Sequence, residues 1–300
     1  MSGREPVLSD TKIVAVANQK GGVGKTTTVV NLAACLAEVE LRVLVVDLDP
    51  QANATSGLGL EPADGVSVYR VLLGEGRLED LIRTTAFEGL DLIPSELDLA
   101  GSEVDVARME GYLHCFAQAL RPLAAAAAYD FVLVDCPPSL GILTMNALAA
   151  AHSMITPIQC EYYALEGLSV ITDLVGRLRS ERANPRIAVE GILMTMYDGR
   201  TNLAADVVRE VRSHFGTTVY DTVIPRNVRL GEAPSYGKPI THYDTHSTGA
   251  HAYRLFAQEF LARQGIPRNN PHLRGPGRKK IPPLKIQMAP SGRPDPNPNE

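Results

Sequence analysis

The chain has 300 residues, of which 45% are hydrophobic, and its formal net charge is −5 at pH 7. A chain of this length can bury one large core or two small ones. The acidic balance excludes a globally basic nucleic-acid binder, so any DNA contact has to come from a local patch. The sequence holds no run of eighteen apolar residues and no signal-peptide core, which predicts a cytoplasmic protein without a membrane span. The four cysteines form no CxxC pair and indicate neither a disulfide framework nor a zinc site.

Apolar runs separated by helical patterns organise most of the chain. After a predicted disordered leader at residues 1–10, the runs predict buried strands at residues 13–17, 41–47, 90–93, 131–135, 154–158, 188–196 and 219–224. Helices are predicted after the first strand and at residues 103–128, 140–150, 164–183, 202–215 and 248–264. This alternation predicts a single α/β domain over residues 11–264, with a doubly wound, mostly parallel sheet and helices on both faces. Residues 265–300, rich in proline and basic residues, are predicted to form a disordered tail.

Residues 18–28 read NQKGGVGKTTT and join the first predicted strand to the first helix. In such a strand, glycine loop and helix, backbone N–H groups surround a phosphate, and the positive end of the helix dipole favours the same anion. Lys25 is expected to reach the β- and γ-phosphates, and the Thr26 hydroxyl to bind Mg²⁺. The loop therefore predicts a nucleotide site, and its predicted binding residues are Gly21, Gly22, Val23, Gly24, Lys25, Thr26 and Thr27.

Carboxylates follow two of the predicted strands. Asp135 ends an apolar run and is predicted to hold Mg²⁺, through water, beside Thr26. Asp47 and Asp49 lie two positions apart, so they share one face if the strand continues through them. One of the two can orient the attacking water, and the other can support the metal shell. The alternative is structural, with a strand-end acid capping the turn that follows.

The glycine loop departs from the ordinary phosphate-binding pattern at its start. Gln19 stands where that pattern has a glycine, and a second lysine, Lys20, follows it. Within one subunit, a second cation beside a phosphate that Lys25 already contacts is hard to justify. In a dimer, Lys20 can reach the partner's nucleotide as an arginine finger does, which makes it a candidate catalytic residue. The segment KGGVGKTT resembles the deviant Walker A signature of the ParA/MinD ATPases, whose members form nucleotide sandwich dimers.

The resemblance extends over residues 11–264. Its blocks are VDLDPQANATSGLG (46–59), DCPPSLGILTMNAL (135–148), QCEYYALEGL (159–168), TMYDGRTNL (195–203) and VIPRNVRLGEAPSYGKPI (223–240). They are similar to the small chromosomal ParA/Soj proteins, which implies a P-loop NTPase fold and hydrolysis of ATP with Mg²⁺. The family's DxDPQ motif assigns the catalytic role to Asp49 and leaves Asp47 for the metal shell; Ala52 stands where close relatives have glycine, a change expected not to matter. The PRN block flanks the adenine in the family and suggests Pro225 and Asn227 as base contacts, although a strand-terminating turn explains these residues nearly as well.

In the ParA/Soj group, ATP-driven dimerisation creates a surface that binds double-stranded DNA without sequence preference, and a ParB-type centromere-binding partner stimulates hydrolysis. The resemblance maps the DNA contacts onto Arg200 and Arg229, whose guanidinium groups suit phosphate oxygens. The alternative is that both arginines are surface charges pairing with nearby acids such as Asp198 or Glu232. The implied protein is a cytoplasmic, nucleoid-associated ATPase that drives chromosome or plasmid segregation.

Other functions share parts of this pattern. A MinD-like ATPase that acts at a membrane needs a C-terminal amphipathic helix, whereas this C-terminus is interrupted by prolines. The alternative that stays open is a MinD-like or protein-positioning ATPase that acts at a membrane or polar cluster and not on DNA. A nitrogenase-type iron protein needs cysteines that bridge a cluster, and Cys136 has no second cysteine in a suitable block. A NAD-dependent oxidoreductase needs GxGxxG, which this loop lacks. A non-enzymatic scaffold would be supported by the loss of Lys20, Lys25, Asp49 or Asp135, and all four are present.

Overall fold

The computed structural model describes residues 11–161 and 164–266, so the predicted leader and residues 267–300 of the predicted tail lie outside the described residues. The strands in the described part are β1 (Lys12–Val16), β2 (Val43–Asp47), β3 (Arg83–Thr84), β4 (Leu90–Ile93), β5 (Phe131–Asp135), β6 (Ser153–Gln159), β7 (Ala188–Tyr197) and β8 (Val219–Pro225). The longer helices are α1 (Lys25–Glu38), α6 (Cys115–Ala125), α7 (Ile142–Ala150), α8 (Ala164–Ser180), α9 (Asn202–Phe215) and α12 (Thr248–Arg263). The short helices are α2 (Asn53–Gly57), α3 (Tyr69–Leu72), α4 (Leu78–Leu81), α5 (Ser102–Val106), α10 (Val228–Glu232) and α11 (Ile240–Tyr243).

The strands form one sheet in the order β3-β4-β2-β5-β1-β6-β7-β8. Every pairing is parallel except that of β3 with β4, which is antiparallel. The chain adds strands first on one side of β1 and then on the other, so the order reverses near the middle of the sheet. Ligands of such sheets bind at the carboxyl ends of the strands around this reversal. The predicted doubly wound, mostly parallel α/β fold is confirmed.

Helices cover both faces of the sheet, so alternate residues of a strand such as β5 are buried in two different cores. Phe131 and Leu133 belong to a core that includes residues of α1 and α12. Val132 and Val134 belong to a second core on the opposite face, which includes residues of α6 and α7. The rings of Phe131 and Phe260 lie 5.3 Å apart between their centroids, which joins β5 to the last helix. A strand covered on both faces needs a continuous apolar run, and this explains why the strand predictions succeeded.

The prediction of one helix over residues 103–128 was wrong. The structure divides this stretch into α5, a 3-10 turn at Tyr112–His114, and α6. Gly111, between them, has a φ of 70°, a left-handed conformation that ends a helical path. α6 stops within the alanine run, where Ala127 has a φ of 46°. Helix propensity alone favoured a continuous helix here, and the backbone at these two positions overrode it.

Two further features bear on the predicted limits of the domain. Ile266 is buried in the core beside α12, so folded chain continues slightly beyond the predicted boundary. Within residues 11–161 and 164–266, no helix combines the length and the apolar character that a membrane crossing requires.

Candidate nucleotide site and arginine face

The glycine loop lies at the carboxyl end of β1, in the middle of the sheet. Gly22 and Gly24 have positive φ angles of 73° and 88°, a region that glycine adopts without steric strain. α1 begins at Lys25, directly after Gly24, and its first turn carries neither an acidic side chain nor a capping side-chain hydrogen bond. The first backbone N–H groups of α1 therefore have no capping side-chain acceptor among the described residues, and the helix dipole is positive at this end.

Asn18 shapes the start of the loop. Its side-chain oxygen accepts a hydrogen bond from the Lys20 N–H at 2.9 Å, and its amide donates to the Pro157 carbonyl at 2.8 Å. Because Asn18 is buried, its bond to the Pro157 carbonyl is shielded from water. The backbone that carries Lys20 is thus fixed against β6, a role that the sequence analysis did not assign to Asn18.

Two side chains at the ends of β6 and β7 also donate hydrogen bonds to the glycine loop, and the sequence did not predict them. The Gln159 amide donates to the Gly22 carbonyl at 2.9 Å. The Thr195 hydroxyl lies 2.9 Å from the Val23 carbonyl oxygen and donates to it. These bonds connect the loop backbone to the ends of β6 and β7. Both residues lie in blocks that resemble the family, but their residue types carry no signal that identifies them as tethers.

The two lysines of the loop occupy different environments. Lys25 is buried, and its Nζ donates to the Lys20 carbonyl at 3.1 Å. Burial lowers the pKa of Lys25, while the carboxylates of Asp135 and Asp49 oppose this effect. Lys20 instead lies at the outside, with its side chain about half exposed and its Nζ 2.8 Å from the Glu161 carboxylate. The structure therefore places Lys25 over the phosphate loop and Lys20 at the surface of the subunit.

Asp135 and Asp47 are direct neighbours at the carboxyl ends of β5 and β2. Asp135 is fully buried, and neither of its carboxylate oxygens has a hydrogen-bond partner among the described residues. Its pKa is raised well above the ordinary value, first by burial and then by the charge of Asp47. The Thr26 hydroxyl lies close enough to lower this pKa, although the two groups do not reach hydrogen-bond geometry. A buried, unpartnered carboxylate beside a hydroxyl is a fitting site for a hard cation such as Mg²⁺.

Asp47 is held by the chain that follows it. One carboxylate oxygen accepts hydrogen bonds from the N–H and the hydroxyl of Thr55, at 2.8 and 2.7 Å. The other accepts a bond from the Asp49 N–H at 3.2 Å, so the chain turns after Asp47 instead of continuing as a strand. Asp49 in turn accepts a bond from the Gln51 N–H at 3.0 Å. Ala52 follows with a φ of 52°, which explains why glycine suits this position better.

The predicted adenine contacts lie at the end of β8 and just beyond it. The Asn227 side chain accepts a bond from the Arg229 N–H at 2.8 Å and so caps α10. Its amide donates to the Thr248 hydroxyl at 2.7 Å. Asn227 therefore has a structural role in the turn, which is the alternative that the sequence left open. Pro225 is the last residue of β8.

A cleft of about 420 Å³ opens beside α1, and neither Pro225 nor Asn227 lines it. Its walls come from the first two turns of α1, from α2, and from the segment that connects α10 to α11. They consist of Thr26, Thr27, Val30, Asn31, Asn53, Ser56, Gly57, Ala233, Pro234, Ser235 and Lys238. Thr26 and Thr27 join this cleft to the glycine loop, so it adjoins the predicted phosphate position.

Of the arginines predicted to bind DNA, Arg200 lies in the loop between β7 and α9, and Arg229 lies in α10, the short helix after β8. β7 and β8 are neighbours in the sheet. Arg200 makes two hydrogen bonds to the Asp198 carboxylate, at 2.8 and 2.6 Å. Arg229 lies 2.8 Å from the Glu232 carboxylate and 3.6 Å from that of Asp244. The structure thus brings the two arginines to one edge of the sheet. The pairs with Asp198 and Glu232 are those of the alternative explanation, in which both arginines are surface charges.

Comparison with known proteins places this geometry in a family. A protein-family profile described as an AAA domain matches residues 11–189. The chain is 52% identical over 252 residues to the sporulation initiation inhibitor protein Soj of Bacillus subtilis, covering 84% of this chain and 98% of that protein. It is 48% identical over 254 residues to the chromosome partitioning protein ParA of Myxococcus xanthus, covering 84% and 88%. A crystal structure named cobyrinic acid a,c-diamide synthase from Mycobacterium smegmatis, with bound ADP and magnesium, is 38% identical, has a TM-score of 0.74 and covers 85% and 96% of the two chains. The chain therefore belongs to the ParA/Soj family of chromosome-partitioning ATPases.

Proposed function

We propose that this protein binds ATP with Mg²⁺, hydrolyses it to ADP and phosphate, and uses the nucleotide to control dimerisation and DNA binding during chromosome or plasmid segregation. The observation that carries the proposal is the contrast between the two loop lysines. Lys25 is buried over the phosphate loop, whereas Lys20 is half exposed at the subunit surface. A single nucleotide needs only the first lysine, so the second suits the nucleotide of a second copy of this chain.

The nucleotide phosphates bind to the glycine loop between Gly21 and Thr27, with the Lys25 ammonium on the β- and γ-phosphates. Thr26 and Asp135 hold the magnesium ion, and Asp47 supports them from the adjacent strand. The ion supplies charge neutralisation for the phosphate oxygens. The cleft beside Thr27 adjoins this phosphate position, and neither Pro225 nor Asn227 lines it. Pro225 and Asn227 stay the proposed base contacts from the family resemblance.

Asp49 is the proposed catalytic carboxylate. It is buried just beyond the end of β2, and its charge raises the pKa of Lys25, which indicates that the two groups lie within electrostatic reach. Asp47 cannot easily take this role because both of its oxygens already accept hydrogen bonds. Asp49 orients the attacking water, since phosphoryl transfer depends mostly on positioning and charge stabilisation.

The ATP-bound dimer binds double-stranded DNA without sequence preference through Arg200 and Arg229, and a ParB-type partner stimulates hydrolysis. Two copies of each arginine on one dimer span more phosphates than a single subunit does, which raises affinity by avidity. Partitioning relatives at 48% and 52% identity support this use of the fold over the amide synthesis named for the more distant solved structure. The proposed location is cytoplasmic and nucleoid-associated.

Gly21→Val tests the dimer part of the proposal. A side chain at Gly21 meets nothing closer than the Pro138 Cβ, 3.8 Å away, and Gly21 is exposed, so the single subunit accepts it. In a sandwich dimer the added branches stand between the two subunits. We expect the variant to retain ATP binding but to stay monomeric in size-exclusion chromatography with light scattering, and to lose ATP-dependent binding of a fluorescent duplex.

Gly176→Val is the matched control, because Gly176 is an exposed glycine on α8, and a Cβ added there would meet no described residue outside its own stretch of helix within 4 Å. This control should dimerise and bind DNA as the wild type does. A Gly21→Val protein that still forms an ATP-dependent dimer would refute the proposed interface at the glycine loop. Binding of the duplex by wild type with equal strength in ATP, ADP and no nucleotide would refute nucleotide control.

A further inference from the structure

The arginines proposed to bind DNA are each paired with a carboxylate from the same part of the chain. We propose that Asp198 and Glu232 compete with the DNA backbone for these arginines, so that a phosphate has to displace a carboxylate before each arginine contributes to binding. This inference rests on the proposed DNA-binding function and adds how that surface is regulated.

The Asp198 carboxylate binds Arg200 in the geometry that a DNA phosphate would need. The Nε and Nη2 atoms of Arg200 lie 2.8 and 2.6 Å from the two oxygens of Asp198. This parallel, two-pronged arrangement is the one that a guanidinium group also uses with phosphate. The same edge of the guanidinium cannot serve both partners at once. Because hydrogen bonds from Arg200 hold the pKa of Asp198 below its usual range, the carboxylate stays ionised at every physiological pH.

Asp198 is also fixed in place by the loop, while Arg200 is not. The Arg200 N–H donates to Asp198 at 3.1 Å, and the Asp198 carbonyl accepts bonds from the Thr201 N–H and hydroxyl. The Arg200 side chain is 87% exposed against 23% for that of Asp198. The arginine can therefore swing to a phosphate while the carboxylate remains behind.

Arg229 lies between two acids in a similar way. Its Nη1 is 2.8 Å from Glu232, and its Nε is 3.6 Å from Asp244. Glu232 is itself positioned by a hydrogen bond of 3.0 Å from the Tyr243 hydroxyl. Both arginines of the proposed DNA surface thus have their charge balanced within the subunit.

The charge of the rest of the chain makes this balance important. Residues 267–300 contain seven Lys and Arg against two Asp and Glu, which leaves 22 basic and 32 acidic residues in residues 1–266. An excess of ten negative charges repels a polyanion at long range. The strength of DNA binding therefore depends on how completely a few local cations are available.

Asp198→Asn tests the proposal, because asparagine keeps the acceptor for the Arg200 N–H but loses the charge that holds the guanidinium. We expect the affinity for a non-specific duplex in ATP to rise about threefold per subunit, from the modest strength of an exposed ion pair. A dimer that engages two copies should gain roughly the square of this factor. Glu232→Gln should give a smaller gain through Arg229, which keeps Asp244 as a second partner.

A double-mutant cycle separates competition from a general charge effect. Competition predicts that Asp198→Asn gives no gain in an Arg200→Gln background. Asp206→Asn is the control, since it removes the same charge from a pair with Arg209 on α9 and should give no more than a small gain. An equal gain from Asp198→Asn with and without Arg200, or reduced affinity in Asp198→Asn alone, would overturn the inference. If Arg200→Gln alone leaves duplex affinity unchanged, the assignment of the DNA surface fails first.

Discussion

Replacing Asp135 by asparagine should stabilise the nucleotide-free protein at alkaline pH while abolishing the binding of magnesium and ATP. Asp135 is fully buried, and both of its oxygens lack a hydrogen-bond partner among the described residues. The neighbouring Asp47 accepts three hydrogen bonds, so the repulsion between the two charges falls mainly on Asp135. An ionised carboxylate in this position is costly until a cation binds it, and asparagine removes that cost.

The sign of the pH dependence follows from the raised pKa values of both carboxyl groups. A carboxyl whose pKa is raised in the folded chain stays protonated there after the unfolded chain has ionised, so stability falls as the pH rises between the two values. For Asp47 the pKa rises from 3.8 in the unfolded chain to about 6 in the folded chain. At 1.36 kcal/mol per unit, this shift lowers the free energy of unfolding by roughly 3 kcal/mol as the pH rises through both values. For Asp135→Asn we expect a gain of about 1–3 kcal/mol in the free energy of unfolding at pH 8. The corresponding increase in Tm is about 3–10 °C. It should be smaller at pH 5 than at pH 8 and should vanish only below the ordinary carboxyl pKa of 3.8.

The assay is thermal and urea unfolding in EDTA at pH 5 and pH 8, with Asp64→Asn as a control at an exposed acid. Adding ATP and magnesium at a hundred times the dissociation constant should stabilise the wild type by about 2.7 kcal/mol and leave Asp135→Asn unchanged. An Asp135→Asn protein that is less stable than the wild type at pH 8, or that gains the same stability at both pH values, would show that the buried charge of Asp135 is not costly.

Two other substitutions test the backbone around the site. Ala52→Gly should raise the free energy of unfolding by about 0.5–1 kcal/mol, because glycine relieves the positive φ. Ala54→Gly in the adjoining helix is the control and should lower the free energy of unfolding. If both variants were less stable than the wild type, Ala52 would not be strained. Thr195→Val keeps the shape of a buried side chain but removes the hydroxyl that lies 2.9 Å from the Val23 carbonyl and 3.0 Å from that of Ile158. We expect it to cost about 1–3 kcal/mol in stability and to weaken ATP binding measured by calorimetry, and unchanged ATP affinity would show that this tether does not shape the loop.

The sequence placed the glycine loop and the strand-end acids correctly because chain connectivity determines their positions. A buried parallel strand delivers its last residue to the carboxyl edge of the sheet, so Asp47 and Asp135 had to be close if β2 and β5 were neighbours. The different environments of the two acids could not be predicted in the same way. Thr55 of α2 donates two hydrogen bonds to Asp47, whereas no described residue donates one to Asp135.

Hydrogen bonds between distant parts of the chain could not be predicted from the sequence either. Asn18 and Pro157 are 139 positions apart, and Thr195 and Val23 are 172 apart, yet each pair fixes the glycine loop by one hydrogen bond. No local pattern of residue types reveals such a bond, because many asparagines and threonines occupy similar positions without it. The prediction of one continuous helix over residues 103–128 was wrong for the opposite reason. There the local propensity was clear, but backbone conformations near Gly111 and Ala127 decided the outcome.

The glycine loop and the two arginines proposed to bind DNA, Arg200 and Arg229, share one feature. Each cation proposed to bind an external phosphate already has an acceptor within the subunit. The pairs are Lys25 with the Lys20 carbonyl, Lys20 with Glu161, Arg200 with Asp198 and Arg229 with Glu232. A phosphate therefore exchanges one partner for another instead of pairing with a free charge, and the net gain per contact is small. Small gains at single contacts make binding depend on several contacts forming together, which a nucleotide-driven dimer achieves and a single subunit does not.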